Sequence, residues 1–273
     1  MRTKIAICTL FLSAAISLWI SSSPVQATHT CTDYSAVTNT QALYHLEDET
    51  DSDNGFDLTN NNSVTFVAGR FTNGGDFEAG SSQSLNIANT LGAGGNTSTT
   101  FVISFKPEST PSGTGYTLTS HYEEGVDISY TIQYRDSSGP QLYFVRDRRG
   151  IADCSNTYAV TLSTSTFSNI IMTWNGSTLK GYLSGIGEVF SASCSGNGNF
   201  SDSTEFAIGK TTDNNGYADG IIDEVIVEVG AWSSSTVDTY WADNFNNCPA
   251  DAVAGPSTHL IRGHGRTRNN PNR

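Results

Sequence analysis

Turn-forming residues interrupt this chain at short and regular intervals. Gly, Ser, Thr and Asn recur about every 8–12 residues, and short runs rich in β-branched and aromatic side chains lie between them. Helical periodicity is almost absent. This pattern predicts an all-β fold of the sandwich or barrel type.

Short segments with the composition of strands are spread over most of the chain. They are Ala42–Leu46, Thr100–Phe105, Tyr130–Tyr134, Gln141–Val145, Ala159–Leu162, Asn169–Trp174, Thr178–Leu183, Glu205–Gly209 and Ile221–Val229. Asn175-Gly176 separates two of them and predicts a hairpin, because Asn-Gly tolerates the positive φ angles of a type I′ turn. Ser234–Trp241 is a short amphipathic stretch after a serine cap and predicts a helix.

The N-terminus resembles a cleavable secretory signal over residues 1–27. Arg2 and Lys4 precede an apolar run, Ile5–Ile20, and small residues at 25 and 27 suit cleavage. A membrane anchor is the alternative, but the run is shorter than the roughly 20 residues of a bilayer span. We therefore expect a secreted protein, extracellular or at the cell surface, with no membrane insertion after cleavage.

The remaining chain divides into a domain and a tail. Residues 28–248 carry the strand pattern and suit one large β-domain. Residues 249–273 have no apolar periodicity and end in Arg, Asn and Pro, so they predict a disordered basic tail.

The charge balance is strongly acidic. The chain has 14 Lys and Arg against 27 Asp and Glu, a net charge of −13, and signal cleavage would remove two of the basic residues. Such a surface repels phosphate backbones, which argues against nucleic acid as a partner. The acidity fits solubility outside the cell, or the oxygen ligands of a divalent cation.

Cysteine usage agrees with export. Cys8 leaves with the signal, and Cys31, Cys154, Cys194 and Cys248 remain. An even number in an oxidising compartment predicts disulfides, with three possible pairings. We favour Cys31–Cys248, which would tie the domain ends, and Cys154–Cys194 as an internal link. A zinc site is the alternative, but there is no CxxC spacing.

Four segments, in order, resemble the laminin-G-like branch of the concanavalin A-like lectin/glucanase superfamily. They extend over about Gln41 to Ala242. The segments are Ala42–Glu47 with the acidic loop Asp51–Thr59; Gly74–Glu78 with Ser84–Ile87; Phe167–Gly185; and Phe206–Gly209 with Asp219–Val225.

The resemblance implies a two-sheet antiparallel jelly-roll sandwich in a secreted or surface protein. Such domains typically bind glycans or other proteins, often with a structural calcium ion. We therefore expect a recognition module for carbohydrate or for a cell-surface protein. Residues Gly113–Thr157 match no family segment, and because loops around a fold set its ligand, the ligand stays open.

A calcium site is expected near Asp223. If Ile221–Val229 is a strand, its odd-numbered residues share one face, which is apolar except for Asp223. A carboxylate there is costly unless it is paired or liganded. The other candidate ligands are Asp57 and Glu78, which match acidic family positions, and Asp51. The alternative is that Asp223 caps a turn or pairs with an Arg.

Glycoside hydrolysis is one catalytic alternative on this fold. Retaining enzymes place two carboxylates about 5 Å apart. Glu49, Asp51 and Asp53 alternate correctly but lie in a predicted loop. Glu224 and Glu228 would be about 13 Å apart along a strand, and we interpret them as outward solubilising charges.

Polysaccharide cleavage by a lyase is the other catalytic alternative. It needs a Tyr or His base beside a neutralising group. Tyr130, Gln133, Tyr134 and Arg135 form a loose set with His121 nearby in sequence, but a strand with alternating polar residues explains them more simply. We therefore leave enzymatic activity uncertain and favour binding. A structural component of a surface assembly is a third possibility.

Aromatic rings and polar side chains make glycan-binding faces. We expect specificity in residues 113–150, with the 213–220 loop as a second candidate. The available rings are Tyr122, Tyr130, Tyr134, Tyr143, Tyr182, Trp174 and Tyr217.

Overall fold

The computed structural model describes most of the predicted β-domain. It covers residues 39–89, 91, 98–113, 115–123, 127–148, 151–194, 205–211 and 216–245, without the side chains of 122–129, 147–153 and 243–244. All of these residues belong to the unit Cys31–Arg273. The predicted signal, Cys31, Cys248 and the basic tail lie outside the described residues.

Strands account for nearly all regular structure in the described part. They are β1 Thr40–Tyr44, β2 Thr59–Asn61, β3 Thr65–Ala68, β4 Asn73–Phe77, β5 Ser84–Ile87, β6 Thr99–Pro107, β7 Tyr116–Glu123, β8 Asp127–Asp136, β9 Pro140–Arg148, β10 Ile151–Ala159, β11 Ser168–Trp174, β12 Thr178–Leu183, β13 Gly187–Ser193, β14 Glu205–Ile208 and β15 Gly220–Val229. One 3₁₀ turn, Ala79–Ser81, connects β4 to β5.

The strands form two antiparallel sheets that pack as a sandwich. Sheet A has the order β13-β12-β11-β6-β15-β4-β3, with β1 also paired to β15, and sheet B has the order β10-β9-β8-β7-β14-β5-β2. Side chains from both sheets fill the space between them, among them Phe105, Trp174, Phe144 and Phe206. The predicted all-β, two-sheet antiparallel jelly-roll sandwich is confirmed.

The predicted strands are found, with one displacement. Ala159–Leu162 is wrong, because β10 ends at Ala159. The strands that the sequence did not predict are short or poor in β-formers. β4, for example, has the sequence Asn-Gly-Gly-Asp-Phe, and a Cβ on Gly74 would come within 2.9 Å of Ile221 and of the Ile222 carbonyl. Close approach to β15 therefore requires glycine there.

The hairpin between β11 and β12 is confirmed, but its turn is not type I′. Trp174 pairs with Leu179, and only Gly176 within the turn has a positive φ, +95°. Asn175 instead turns its side chain inward, where Oδ1 accepts hydrogen bonds from the backbone N–H groups of Ser177 and Thr178. The asparagine stabilises the turn as an Asx cap.

Strand β15 is buried on both faces. Its inner residues Ile222, Val225 and Val227 belong to the core between the sheets, while Ile221 and Ile226 belong to a second core on the outer side of sheet A. The ladder with β6 shifts between Asp223 and Ile226. The expectation that all odd-numbered residues share one face is therefore wrong, because a β-bulge reverses the alternation.

A short helix covers the centre of the outer face of sheet A. Helix α1, Ser234–Tyr240, begins after Ser233, whose side chain accepts from the Thr236 N–H, and a π-helical turn, Trp241–Phe245, follows. This confirms the predicted helix. Its apolar side chains pack with residues of β1, β6, β11, β12 and β15; the C-terminal members of this outer core are Trp232, Val237, Tyr240, Trp241 and Phe245.

One further contact ties the C-terminal turn to sheet A. Trp241 Nε1 donates a 2.8 Å hydrogen bond to the buried side chain of Asn169 on β11.

Among the described residues, no helix is both long and apolar enough to cross a membrane.

A disulfide joins the two sheets at one edge of the sandwich. Cys154 on β10 pairs with Cys194, which directly follows β13, and the Cα atoms are 5.6 Å apart. Because β10 and β13 are edge strands of different sheets, the bond closes this side of the sandwich. The predicted Cys154–Cys194 pair is confirmed.

Removing this link will destabilise the domain. In the chain-entropy description, a cross-link over 40 residues stabilises the folded state by about 4 kcal/mol. We expect Cys154→Ser/Cys194→Ser to lower the free energy of unfolding by about 2–4 kcal/mol, measured by urea unfolding. An unchanged midpoint would show that packing alone holds the edge.

Candidate ligand-binding face

Asp51, a predicted metal ligand, organises the loop after β1. Its Oδ1 accepts hydrogen bonds from the N–H groups of Leu43 at 2.9 Å and Asp53 at 3.1 Å. Its Oδ2 accepts from Asn54 at 2.9 Å and Phe56 at 3.0 Å. Four backbone donors thus converge on one carboxylate, and both of its oxygens accept hydrogen bonds.

Asp57, another predicted ligand, lies in the same loop. It is exposed, and its Oδ1 accepts from the Asp51 N–H at 3.1 Å. The structure therefore brings Asp51 and Asp57 together. The Glu49-x-Asp51-x-Asp53 series is outside any strand, so it does not present two carboxylates on one strand face.

Asp223 is fully buried beside the β-bulge. Oδ2 accepts from the N–H groups of Arg70 at 2.6 Å and Phe71 at 3.4 Å, and Oδ1 accepts from Glu224 at 2.8 Å. Burial, with a contribution from the neighbouring Glu224 carboxylate, raises its pKa well above the ordinary value. These contacts correspond to the turn-capping alternative, because Arg70 and Phe71 belong to the β3–β4 connection.

The interpretation of Glu224 and Glu228 as outward charges is wrong. Their exposed fractions are 1% and 7%, because β15 is covered on both faces. Glu224 has a φ of +49° at the bulge and pairs with His45 Nδ1 at 2.8 Å. Burial raises the pKa of Glu228.

Glu78, the remaining predicted ligand, belongs to a different group of carboxylates. Asp76, Glu78 and Glu108 each offer an oxygen within 4.8 Å of the others, where β4 and β6 end. Asp76 Oδ1 is buried and accepts no hydrogen bond within the described part. Burial raises the pKa of Glu108, and the carboxylates of Asp76, Glu78 and Asp219 raise it further.

The loose lyase set is divided between the two faces of sheet B. Tyr130 and Tyr134 are in the core, whereas Gln133 and Arg135 alternate with them and point away. His121 is also buried, with its ring 6.4 Å from that of Tyr130. The base candidates and the neutralising candidates therefore lie on opposite sides of the sheet.

Most of the predicted binding rings are structural. Tyr130, Tyr134, Trp174 and Tyr182 are buried. Tyr143 is half-buried on the outer side of sheet B, and Tyr217 is half-buried beside the sheet's edge loop. The Tyr122 side chain lies outside the described residues.

The outer side of sheet B, which we call the sheet B face, carries mostly small or polar residues. One row of paired residues crosses all seven strands. From β2 to β10 it consists of Thr59, Asn86, Ala207, Ser120, Thr131, Val145 and Ser155.

The middle of this row is closed. Ala207, Ser120 and Thr131 are buried, and Ser120 Oγ donates a 2.8 Å hydrogen bond to the Lys210 carbonyl. The residues after β14 thus pass over the centre of the face. Accessible polar groups remain at its two ends.

One end carries a network of amides and ions. Asn61 Nδ2 donates to Asn86 Oδ1, and Asn86 Nδ2 donates to Glu205 Oε1 at 2.6 Å. Lys210 Nζ is 3.1 Å from the same Glu205 oxygen. The side chains hold one another in fixed orientations across β2, β5 and β14.

The other end, which we call the Arg135–Tyr143 patch, carries a stacked pair. Arg135 Cζ lies 3.3 Å from the centre of the Tyr143 ring. Gln133 pairs with Tyr143 across β8 and β9, and its Nε2 is 3.4 Å from Thr117 Oγ1. All of these residues lie in the Gly113–Thr157 segment, which matched no family segment and supplies β7, β8, β9 and most of β10.

The sequence predicts the residue types of this patch but not their proximity. It places Arg135 and Gln133 in the lyase set and Tyr143 among seven candidate aromatic rings. Strand alternation brings them together, because Gln133 and Tyr143 occupy facing positions and Arg135 is two residues along β8.

A family profile described as the concanavalin A-like lectin/glucanases superfamily, of laminin-G type, matches residues 78–238. The chain therefore belongs to this family. Comparison with curated protein sequences gives no match.

Solved structures show the same sandwich at low sequence identity. The binding domain of Paraclostridial Mosquitocidal Protein 1 superposes with a TM-score of 0.62 at 15% identity, over 74% of this chain and 52% of that one. Domain 4 of AbnA, an extracellular GH43 arabinanase of Geobacillus stearothermophilus in complex with arabinotriose, gives 0.57 at 15%, over 77% and 98%. The botulinum neurotoxin serotype G binding domain gives 0.57 at 11%, over 75% and 51%.

These neighbours share the fold, and the extent of the match differs among them. The chain spans about half the length of the toxin domains and nearly all of the arabinanase domain. The two toxin structures are named as binding domains, and the arabinanase domain was solved with arabinotriose.

The buried Asp223 predicts a pH dependence of stability. Because its folded-state pKa is raised, its contribution to stability is full below the unfolded pKa and is lost as pH rises through the folded pKa. The wild type should therefore gain stability relative to Asp223→Asn as pH falls from 8 to 4. The gain is about 1.4 kcal/mol for each unit by which folding raises the pKa of Asp223.

Urea unfolding across this pH range measures the difference. Asp238→Asn on the exposed side of α1 serves as the matched control and should follow the wild type at every pH. The free energy of unfolding of the wild type minus that of Asp223→Asn should fall as pH rises. A value that stays constant, or that increases with pH, would contradict a raised pKa for Asp223.

Proposed function

We propose that this domain is a secreted recognition module that binds carbohydrate through the sheet B face. The observation that carries the proposal is an asymmetry between the two sheets. Helix α1 and the turn after it cover the centre of sheet A, whereas the sheet B face keeps polar groups at both of its ends. A cell-surface protein is the other partner class for such a face.

The chemistry of the two ends suits sugars. Sugar hydroxyls both donate and accept hydrogen bonds, and amide and carboxylate side chains in fixed positions satisfy them. Asn86 and Glu205 provide such groups at one end, and Gln133 at the other. The likeness to a domain solved with arabinotriose supports a carbohydrate ligand.

Export is part of the proposal. The secretory pattern of residues 1–27 is its sequence basis, and the disulfide between Cys154 and Cys194 supports it, because disulfides persist in oxidising compartments.

Binding is favoured over catalysis by the positions of the candidate groups. Within the described chain, Asp51 is held by four backbone donors, Glu224 is buried against His45, and the lyase set is divided between faces. None of these sets has the carboxylate pair or the base-and-cation cluster that polysaccharide cleavage requires.

A glycan array with a parallel reducing-end assay tests the function. We expect glycan binding without new reducing ends. Gln133→Ala should weaken binding about tenfold, because it removes hydrogen bonds worth about 1 kcal/mol each. Lys180→Ala on sheet A is the matched control and should bind as the wild type does. Absence of glycan binding contradicts the proposal, and new reducing ends would identify an enzyme.

We also propose a structural calcium ion at Asp76, Glu78 and Glu108. Calcium prefers several oxygen ligands, and these three carboxylates lie close enough to share one ion. Of the ligands predicted from sequence, Asp51 and Asp223 already accept backbone hydrogen bonds on both oxygens, so Glu78 fits this role better. A cation would relieve the repulsion that raises the Glu108 pKa.

Thermal unfolding with calcium and with a chelator tests this proposal. The melting midpoint of the wild type should fall when calcium is removed, whereas Glu78→Gln/Glu108→Gln should melt at the same temperature in both conditions. An unchanged wild-type midpoint would contradict a structural ion, and a variant that still responds would place it elsewhere.

A further inference from the structure

Arg135 is a cation on the outer side of sheet B. Two of the three described lysines form ion pairs: Lys180 with Glu188 at 2.8 Å and Lys210 with Glu205 at 3.1 Å. The third, Lys106, lies over the Phe167 ring. Arg135 forms no such pair within the described ranges, although the chain carries 27 acidic residues.

The guanidinium is held in place by stacking. Its Cζ lies over the Tyr143 ring, 3.3 Å from the ring centre, and such a contact helps to keep an arginine's planar fork oriented. Its Nε is buried without an acceptor, and its Nη donors make no hydrogen bond to a described residue. The Nη donors therefore remain for a ligand.

The neighbouring backbone is shaped around this side chain. Gly115, directly before β7, has a φ of +82°, and a Cβ there would lie 2.3 Å from Arg135 Cβ and 2.4 Å from its Cα. A side chain at position 115 would therefore clash with the β8 backbone from which Arg135 extends. The glycine allows this close approach.

We propose that the Arg135–Tyr143 patch binds an oxyanion of an acidic glycan, a sugar carboxylate or sulfate. This inference rests on the proposed function and specifies its ligand class. A guanidinium fork matches the two oxygens of a carboxylate or sulfate, and such charge-assisted bonds are about twice as strong as neutral ones. Gln133, half-buried next to the stack and 3.4 Å from the buried Thr117 hydroxyl, can take a hydroxyl of the same sugar.

The acidity of the rest of the molecule makes this contact decisive. A net charge of −13 disfavours approach of an anion at long range. Recognition then depends on the short-range bonds that Arg135 supplies. Its loss should therefore abolish the preference for acidic over neutral glycans, besides lowering affinity.

The test is an array that pairs each acidic glycan with a neutral form. It contains uronate- and sialate-bearing glycans with their methyl esters, and sulfated glycans with their desulfated forms. We expect acidic members to bind at least tenfold more tightly than their neutral partners. The carboxylate and sulfate pairs show which oxyanion is preferred, and the esters test the contact without altering the protein.

Two variants then locate the effect. In calorimetry with the best acidic member, Arg135→Gln should lose at least tenfold in affinity and bind the neutral partner unchanged, and Arg135→Lys should recover part of the loss. Lys180→Gln is the control for removal of a positive charge elsewhere. Equal melting midpoints of the variants exclude a folding defect.

The outcomes separate this inference from the proposed function. Binding of neutral glycans as tightly as acidic ones, or an Arg135→Gln variant with unchanged acidic preference, overturns the oxyanion contact and leaves glycan binding intact. Failure to bind any glycan overturns both.

Discussion

Burial of β15 on both of its faces is the constraint on which the architecture depends. One face packs into the core between the sheets, and the other packs under the C-terminal helix. Two adjacent carboxylates in such a strand need partners, since a buried charge is costly without them. The β-bulge supplies the geometry: Asp223 takes backbone N–H groups of the β3–β4 connection, and Glu224 reaches His45 at the end of β1. The polar groups of this strand thus bind two other segments, the β3–β4 connection and the end of β1.

The same constraint makes the two sides of the molecule unequal. Covering β15 from outside requires the aromatic side chains of α1 and its following turn, and these occupy the centre of sheet A. Within the described residues, sheet B has no comparable apolar cover, and the row that crosses it consists almost entirely of small or polar residues. The two outer surfaces of the sandwich therefore differ: aromatic side chains cover one, and the other keeps polar groups.

The sequence predicted the elements whose pattern is local. The helix after Ser233, the β11–β12 hairpin and the extent of β15 follow from caps, turn residues and β-branched runs. β4 could not be predicted from its own residues. Its Gly74 is explained by the close approach of β15, a strand about 150 positions away in the sequence. The bulge at Glu224 is equally non-local, and so is the cover on both faces of β15 that buries Glu224 and Glu228. For the binding face, the residue types of Arg135 and Tyr143 were visible, but their stacking depends on the β8–β9 register, which the sequence does not display.

The disulfide between β10 and β13 has a mechanical consequence. The covalent bond holds the two sheets together at the edge formed by β10 and β13. Fluctuations that part the sheets must then be largest at the opposite edge, where the strands furthest from the bond are β2 and β3. The Arg135–Tyr143 patch lies on strands near the disulfide-linked edge, and the Asn86–Glu205 network lies toward the opposite edge. The patch would therefore meet a ligand as a rigid surface, and the network could adjust to a ligand.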